Sequence, residues 1–271
     1  MNKYLSMAAV LAAVVLSACG GSSSSSSSAF TLSATTASYK IDYIADAQPA
    51  MGKSAFTLKI TKAGAAAPGL AVTLAPVMDM SGGMRSTMAM TMGSSHGAPA
   101  EDVHDNGDGT YSCAIYYLMA GKWTLGVTAG GEMASMTLDV AAAGKDTPMV
   151  KLLSQNQMIM GSTGAMEPMP YYIFNEGMSG TDKFNVFVAA RQDMFTYPHI
   201  SGATLEITDT TTWAVMTDLG GGHYSVSGLT QMKAGTQGML SIRLKVNGAL
   251  CTTDGGANTD ANDHQMFMVT P

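Results

Sequence analysis

A chain of 271 residues with 20 acidic and 14 basic side chains carries a formal charge of −6, and only 13% of its residues are charged. Its basic residues form no cluster, which removes the electrostatic footprint of a nucleic-acid binder. Abundant Gly, Ser, Thr and Ala suit an exported β-rich protein, and the 24 methionines are the compositional oddity.

The chain opens MNKYLSMAAVLAAVVLSACGG. Lys3 supplies a positive start, and Met7 to Leu16 form an apolar stretch of signal-peptide length, too short to span a bilayer. Leu16-Ser17-Ala18-Cys19 resembles the bacterial lipobox. That resemblance implies a signal peptide over 1–18, cleavage before Cys19, and lipid on Cys19. The competing reading is an ordinary signal peptide with a coincidental cysteine. Gly20, Gly21 and the serines 22–28 read as a flexible tether, drawn over 19–35. A lipid anchor makes a membrane the expected partner, with the chain in a bacterial cell envelope on the inner or outer membrane.

Beyond the tether, period-two alternation dominates. Phe56 to Ile60, Leu70 to Leu74, Tyr111 to Tyr117, Trp123 to Val127 and Met136 to Val140 alternate apolar with polar, and Gly, Pro, Asn and Asp separate them. No convincing helix follows the signal peptide. Short strands at roughly ten-residue spacing predict an all-β chain of sandwich type.

The second half repeats the plan. Phe184 to Val188 matches Phe56 to Ile60, and Gly202 to Ile207 matches Gly69 to Leu74. Gly222-His223-Tyr224-Ser225 parallels Gly109-Thr110-Tyr111-Ser112, and Met239-Leu240 stands where Trp123-Thr124-Leu125 stands. Two tandem Ig-like sandwiches are therefore expected, over 36–143 and 144–271, meeting near Ala143 to Thr147.

The turn Asp105-Asn106-Gly107-Asp108-Gly109 invites a calcium reading, but an EF-hand loop needs oxygen ligands at alternate positions, and glycines stand at two of them. A Gly-rich hairpin turn accounts for it better. With Cys19 assigned to lipid, Cys113 and Cys251 remain. An oxidising compartment permits a bridge between them. Their distance in the chain and non-equivalent places in the repeat favour two free buried thiols.

The pattern G-x-Y, a strand, then Ala120-Gly121-Lys122-Trp123-Thr124-Leu125 resembles bacterial Ig-like repeats. Together with Pro68 to Leu74 and the segment between them, it is also similar to the YtkA-like and FixH-like periplasmic domains, over residues from about 53 to 140. This second resemblance implies a small sandwich linked to copper handling.

The chemistry-bearing stretch is APVMDMSGGMRSTMAMTMGSSHGAPAEDVH, from Ala75 to His104. Cuprous ion is soft, thioether sulfur is a soft neutral ligand that survives oxidation better than a thiol, and imidazole adds a stronger donor. Met78-Asp79-Met80 and Met88-Ala89-Met90-Thr91-Met92 put sulfurs on one side of an extended chain. A copper site of Met78, Met80, Met88, Met90, Met92 and His96 is expected from this pattern. The alternative is packing, because Met fills irregular cores and this chain uses Met freely elsewhere. A core built of Met with almost no Leu, Ile or Val is nonetheless unusual. The matching interval of the second half, Thr208 to Asp218, is short and polar, so the fold does not need the segment. In the second half Met158, Met160, Met166 and Met169 read as a loop near the junction, and His199, His223 and His264 as surface residues.

No nucleophile elbow, metalloprotease helix motif, Cys/His zinc spacing or phosphate loop occurs, so no enzyme is expected. Two classes of function stay open. One is a lipid-anchored copper carrier or sensor. The other is a metal-free structural or interaction module meeting an envelope protein partner through Met-rich surfaces. A carbohydrate- or peptide-binding module is disfavoured by the few aromatics.

Overall fold

The computed structural model describes residues 29–78, 95–161 and 164–271. The signal peptide, Cys19 and the serine run lie outside them, as do Met80, Met88, Met90 and Met92.

The first sandwich begins with β1 (Phe30–Thr35), β2 (Tyr39–Ala45) and β3 (Gly52–Lys62), with β4 (Ala65–Ala66) folding back on β3. The chain crosses to β5 (Val72–Met78) and β6 (His96–Gly97), then returns through β7 (His104–Asp105) and β8 (Thr110–Tyr117). The hairpin of β9 (Gly121–Ala129) and β10 (Glu132–Val140) completes it. One sheet runs β1-β2-β3-β8-β7 and the other β10-β9-β5-β6. Alternation explains both: Ile41, Leu58, Ile115, Trp123, Leu125 and Leu138 point between the sheets and are fully buried or nearly so. Each such side chain contributes about 1.5–3 kcal/mol of burial.

Sheet formation starts earlier than the tether expected over 19–35 allows. Residues 30–35, FTLSAT, pair along their whole length with β2. Phe30, Leu32 and Ala34 alternate against the first core, so the polar composition upstream hid a strand.

The second sandwich holds β11 (Met149–Met160), β12 (Met166–Ser179) and β13 (Lys183–Ala190), then β14 (Thr204–Thr208), β15 (Ala214–Val215), β16 (Thr217–Gly220) and β17 (His223–Val226). It closes with β18 (Gly238–Val246), β19 (Ala249–Leu250) and β20 (Gln265–Val269). Its sheets run β11-β12-β13-β17-β16 and β15-β14-β18-β19, with β20 also on β18. The segment read as a loop around Met158 to Met169 is instead the far end of the β11–β12 hairpin. Met160 pairs with Met166 and Met158 with Pro168 beyond a bulge between Leu153 and Met158. The bulge absorbs the Gly- and Pro-broken pattern that reads as irregular in sequence. No helix occurs among the described residues.

The two halves share one corner in atomic detail. Tyr111 Oη donates to Ala67 O at 2.7 Å and accepts from Leu70 N at 3.0 Å. Tyr224 Oη donates to Ile200 O at 3.0 Å and accepts from Ala203 N at 3.3 Å. Asp105 accepts from Gly69 N at 2.6 Å and Gly107 N at 2.8 Å, and Asp218 from Gly202 N at 2.7 Å and Gly220 N at 2.8 Å. Two residues before each tyrosine stands a glycine at φ +85°, Gly109 and Gly222, whose carbonyls accept from Ile60 N and Val188 N. A Cβ on Gly109 would lie 2.9 Å from Ala67 N, and one on Gly222 2.8 Å from Val188 O, so the G-x-Y motif is a backbone requirement. Asp105 and Asp108 thus serve turn hydrogen bonds.

Cys113 and Cys251 are free, each buried in a different sandwich core. Burial pushes each thiol up to about 12.

Candidate functional site at the joint between the sandwiches

The last residues of β8 and β13 depart from alternation. In β8 Tyr111, Cys113, Ile115 and Tyr117 face the first core, yet Ala114 and Tyr116 on the other face are buried as well. In β13 Phe187 and Ala189 are buried on the face away from the second core. These outward faces meet. The Tyr116 ring stacks on Phe187 at 4.1 Å between centroids and lies 5.0 Å from Phe174. Leu118 and Ala189 complete a small third core. Aromatic pairs of this kind add about 0.5–1.5 kcal/mol beyond their area.

A charged network caps this core. Lys53 Nζ lies 2.5 Å from Glu176 Oε1 and 3.1 Å from Glu101 Oε1. The Tyr116 hydroxyl lies 2.8 Å from Glu176 Oε1 and 2.5 Å from Glu101 Oε1, and His223 Nδ1 lies 2.9 Å from Glu176 Oε2. Lys53, Glu101 and Tyr116 belong to the first sandwich, Glu176 and His223 to the second. Burial alone would raise the Glu176 pKa, but hydrogen bonds from Lys53, His223 and Tyr116 outweigh it and hold the carboxyl below its ordinary value. Burial would likewise lower Lys53, and Glu176 and Glu101 raise it instead. Burial, reinforced by both carboxylates, keeps Tyr116 a neutral phenol.

Glu101, Glu176 and His223 bring ligand atoms within 4.8 Å of one another, close enough for a divalent cation. The Lys53 ammonium already neutralises the same oxygens, so this arrangement is an ion-pair lock between the sandwiches. The sequence reading missed it. Its signal was the loss of alternation in Cys113 to Met119 and Phe187 to Ala190, which marks strands buried on both faces.

Beside the aromatic contact lies a cavity of about 300 Å³ whose lining includes His96, Met119, Met149, Met194, Tyr172 and Tyr197. Gly97 N, next to the lining residue His96, donates to Met194 O at 2.8 Å. Of the residues expected to bind copper, Met78 and His96 fall among those described, and β5 and β6 make them direct register partners. His96 packs edge-on to Trp123 at 5.9 Å, and its Nδ1 is buried with no hydrogen-bond partner among the described residues. Burial, with the Arg191 charge nearby, pulls the imidazole pKa down and keeps it neutral. Met78 packs over the start of β9, where its Cε blocks the space beside Gly121. β6, at His96–Gly97, is the last strand of its sheet. His104 and His199 are exposed, while His223 is part of the joint rather than a free surface residue.

No family model matches the chain, and no curated protein matches it. Solved structures give distant likenesses. Domains 4–9 of the surface layer protein SbsC share 12% identity over 88% of this chain and 31% of that one, with a TM-score of 0.26. The Yersinia pseudotuberculosis adhesin InvE shares 14% over 82% and 55%, at 0.25. Invasin, described as a bacterial integrin-binding protein, shares 13% over 88% and 41%, at 0.27. This chain thus spans from about a third to just over half of those structures. The sandwich architecture rests on this chain's own strand pairing and duplicated corner, and the nearer resemblance to YtkA-like and FixH-like domains gains no family match.

Proposed function

We propose that the chain is a structural or interaction module of a bacterial cell envelope, in which two Ig-like sandwiches act as one rigid body. One observation carries this reading: the joint, where an aromatic core and a network of Lys53, Glu101, Glu176 and His223 close over faces that each sandwich alone would leave exposed. Interfaces between independent domains are more polar and less fully buried. Lipid on Cys19 holds the module to a membrane, and its Met-rich edges meet an envelope protein. Spin labels at exposed Ser135→Cys and Lys183→Cys in the full chain test rigidity. A single narrow distance is expected, and a broad distribution overturns the rigid joint. The anchor is tested separately. Cys19→Ser is expected to release the chain from the membrane fraction, and retention there overturns the lipid.

A second reading, copper binding by the first sandwich, is favoured by the pairing of Met78 with His96 and by the unpartnered Nδ1. Met80, Met88, Met90 and Met92 would supply the further thioethers. Titration of the full chain with Cu(I) against a competing chelator tests it, beside His96→Ala and a variant with Met88, Met90 and Met92 changed to Leu. Wild-type affinity no better than either variant sinks this site.

A further inference from the structure

The cavity of about 300 Å³ beside the aromatic contact draws on three parts of the chain. Strand register lays out its second-sandwich side. Met149 pairs with Phe174 and Lys151 with Tyr172, and Phe187 and Ala189 of β13 pair with the same two aromatics. Successive rows on one face are therefore Met149–Phe174–Phe187 and Lys151–Tyr172–Ala189, about 7 Å apart. Arg191 follows two residues after Ala189, where its N–H donates to Pro170 O, and its side chain lines the cavity with Lys151 and Tyr172. The first sandwich contributes His96, Leu118 and Met119, and the loop after β13 contributes Met194 and Tyr197. That loop is pinned against β6: a Cβ on Gly97 would lie 3.0 Å from Phe195 O. A second cavity of about 200 Å³ shares Lys151, Tyr172 and Arg191 and continues the cleft to Pro168.

The equivalent face of the first sandwich shows what folding alone asks for. Ile60 N and Val188 N donate to the two corner glycines, which aligns β3 with β13. On that alignment the matching rows are Ser33–Asp42–Lys59 and Thr35–Lys40–Thr61, an ordinary solvated face. The second sandwich replaces them with apolar groups and hydrogen-bond donors. Arg191 Nε is buried without a hydrogen-bond partner among the described residues, although the guanidinium also meets Glu167. His96 Nδ1 is buried and unpartnered in the same way. The Tyr172 and Tyr197 rings lie 6.1 Å apart, and burial pushes both phenols up, so their hydroxyls keep their protons. Lys151 stands exposed at the rim. Among the described residues Glu167 is the one carboxylate lining either cavity, and Asp193 on the adjoining loop is committed to Phe195 N and Thr196 N.

We propose that this cleft binds a small aromatic carboxylate, its ring against Met119, Met149 and Met194 and its anionic head toward Arg191 and Lys151. Flexible thioethers adapt to a ring and make favourable sulfur–aromatic contacts. Donors to a charged acceptor form the stronger class of hydrogen bond. A volume of about 300 Å³ stands at the lower end of the range for ligand pockets, which keeps the ligand small. Because both sandwiches line the cleft, a bound ligand favours their docked arrangement. The site rests on the docked joint and not on the copper reading, although His96 borders both.

Methyl-labelled methionine NMR on the full chain in a non-ionic detergent tests the proposal. The probes are 2-naphthoate, neutral 2-naphthamide and cationic 2-naphthylmethylammonium. Ring currents from bound 2-naphthoate are expected to shift the methyl signals of Met119, Met149 and Met194, assigned from single Leu variants. Those of Met239 and Met266, exposed on β18 and β20, stay in place. The carboxylate is expected to bind about tenfold more tightly than the amide, and the ammonium more weakly than either. Lys151→Gln, at an exposed position and with its fold verified by circular dichroism, lowers the affinity for 2-naphthoate about threefold and leaves that for the amide unchanged. Arg191→Lys keeps the charge beside Glu167 but loses the Nε donor, and lowers it further. Equal affinities for the three probes, or unmoved signals at Met119, Met149 and Met194, overturn the site. A narrow spin-label distance with unmoved methyls removes the ligand and leaves the rigid joint standing, whereas a broad distribution removes the cleft along with the joint.

Discussion

The two sandwiches share a corner and differ in what hangs from it. Tyr111 and Tyr224 make the same pair of backbone hydrogen bonds to residues three apart, and Asp105 and Asp218 clamp equivalent glycines. Between the strand that leads into the corner and its aspartate, the first copy carries residues 79–104 and the second only 209–217. What the copies share is therefore demanded by folding. What only one of them holds is free to serve something else: the Met/His segment and β6 in the first, the Lys151, Tyr172 and Arg191 side chains beside the joint in the second. The joint follows the same logic, because Tyr116 on β8 and Phe187 on β13 sit on strands that are not equivalent in the repeat, and they contact each other rather than their own cores.

The largest test breaks the joint. Phe187→Ala removes the ring stacked on Tyr116 and is expected to cost about 3–5 kcal/mol, as for a buried aromatic truncation. Calorimetry should show one cooperative transition in the native chain and two in the variant, since each sandwich retains its own core. A single transition in both would mean the joint does not couple the halves.

Tyr111→Phe and Tyr224→Phe probe the shared corner. Each removes a hydroxyl that links two backbone groups, leaving a carbonyl and an N–H without that partner, and each is expected to cost about 1–3 kcal/mol. Chemical denaturation checks whether the two costs match. A large inequality would show that the common geometry hides unequal support from the loops.

Much of this was legible in the residues. Period two located most strands, and G-x-Y exposed the repeat because a left-handed glycine and a corner tyrosine are local backbone demands. The joint was not legible in the same way. Tyr116, Phe174 and Phe187 are far apart in the chain, and an apolar run such as Ala114 to Leu118 marks two covered faces without naming what covers the second. The network of Lys53, Glu101, Glu176 and His223 was hidden for the same reason, since scattered charges reveal no partner until strands align. Register likewise decided the methionines: Met-x-Met spacing named candidate faces, and only cross-strand pairing brought Met239 to Met268 and His96 to Met78.

The joint should also respond to acid. Glu176 has a depressed pKa in the folded chain, so the unfolded or undocked form takes up the proton first. Its contribution is complete above the ordinary value of 4.5 and is lost as pH falls through the lower folded value. Lys53 acts at the other end. Its raised pKa makes its contribution complete below 10.5 and lost as pH rises through the folded value. Spin-label distances between the sandwiches should therefore broaden in acid, and Glu176→Gln should remove most of that acid sensitivity. Broadening that persists unchanged in the variant would assign it to other carboxylates.

The smallest effects ask how the Met/His segment is attached. Asp105 and Asp218 each accept two backbone N–H groups, one on each carboxylate oxygen. An asparagine has one acceptor oxygen, so Asp105→Asn and Asp218→Asn each forfeit one hydrogen bond, about 0.5–1.5 kcal/mol at an exposed turn. Asp105 closes the long excursion between β5 and β8, whereas Asp218 closes a short one. Equal costs, read as equal shifts in denaturation midpoint, would mean that the excursion hangs from a corner already complete without it. The corner would then tolerate a longer or shorter insertion, since lengthening a loop adds little closure entropy. A larger cost at Asp105 would mean that residues 79–104 draw their arrangement from this anchor. In that case Asp105→Asn should also alter the response of His96 to Cu(I), a readout that a purely local turn defect would leave unmoved.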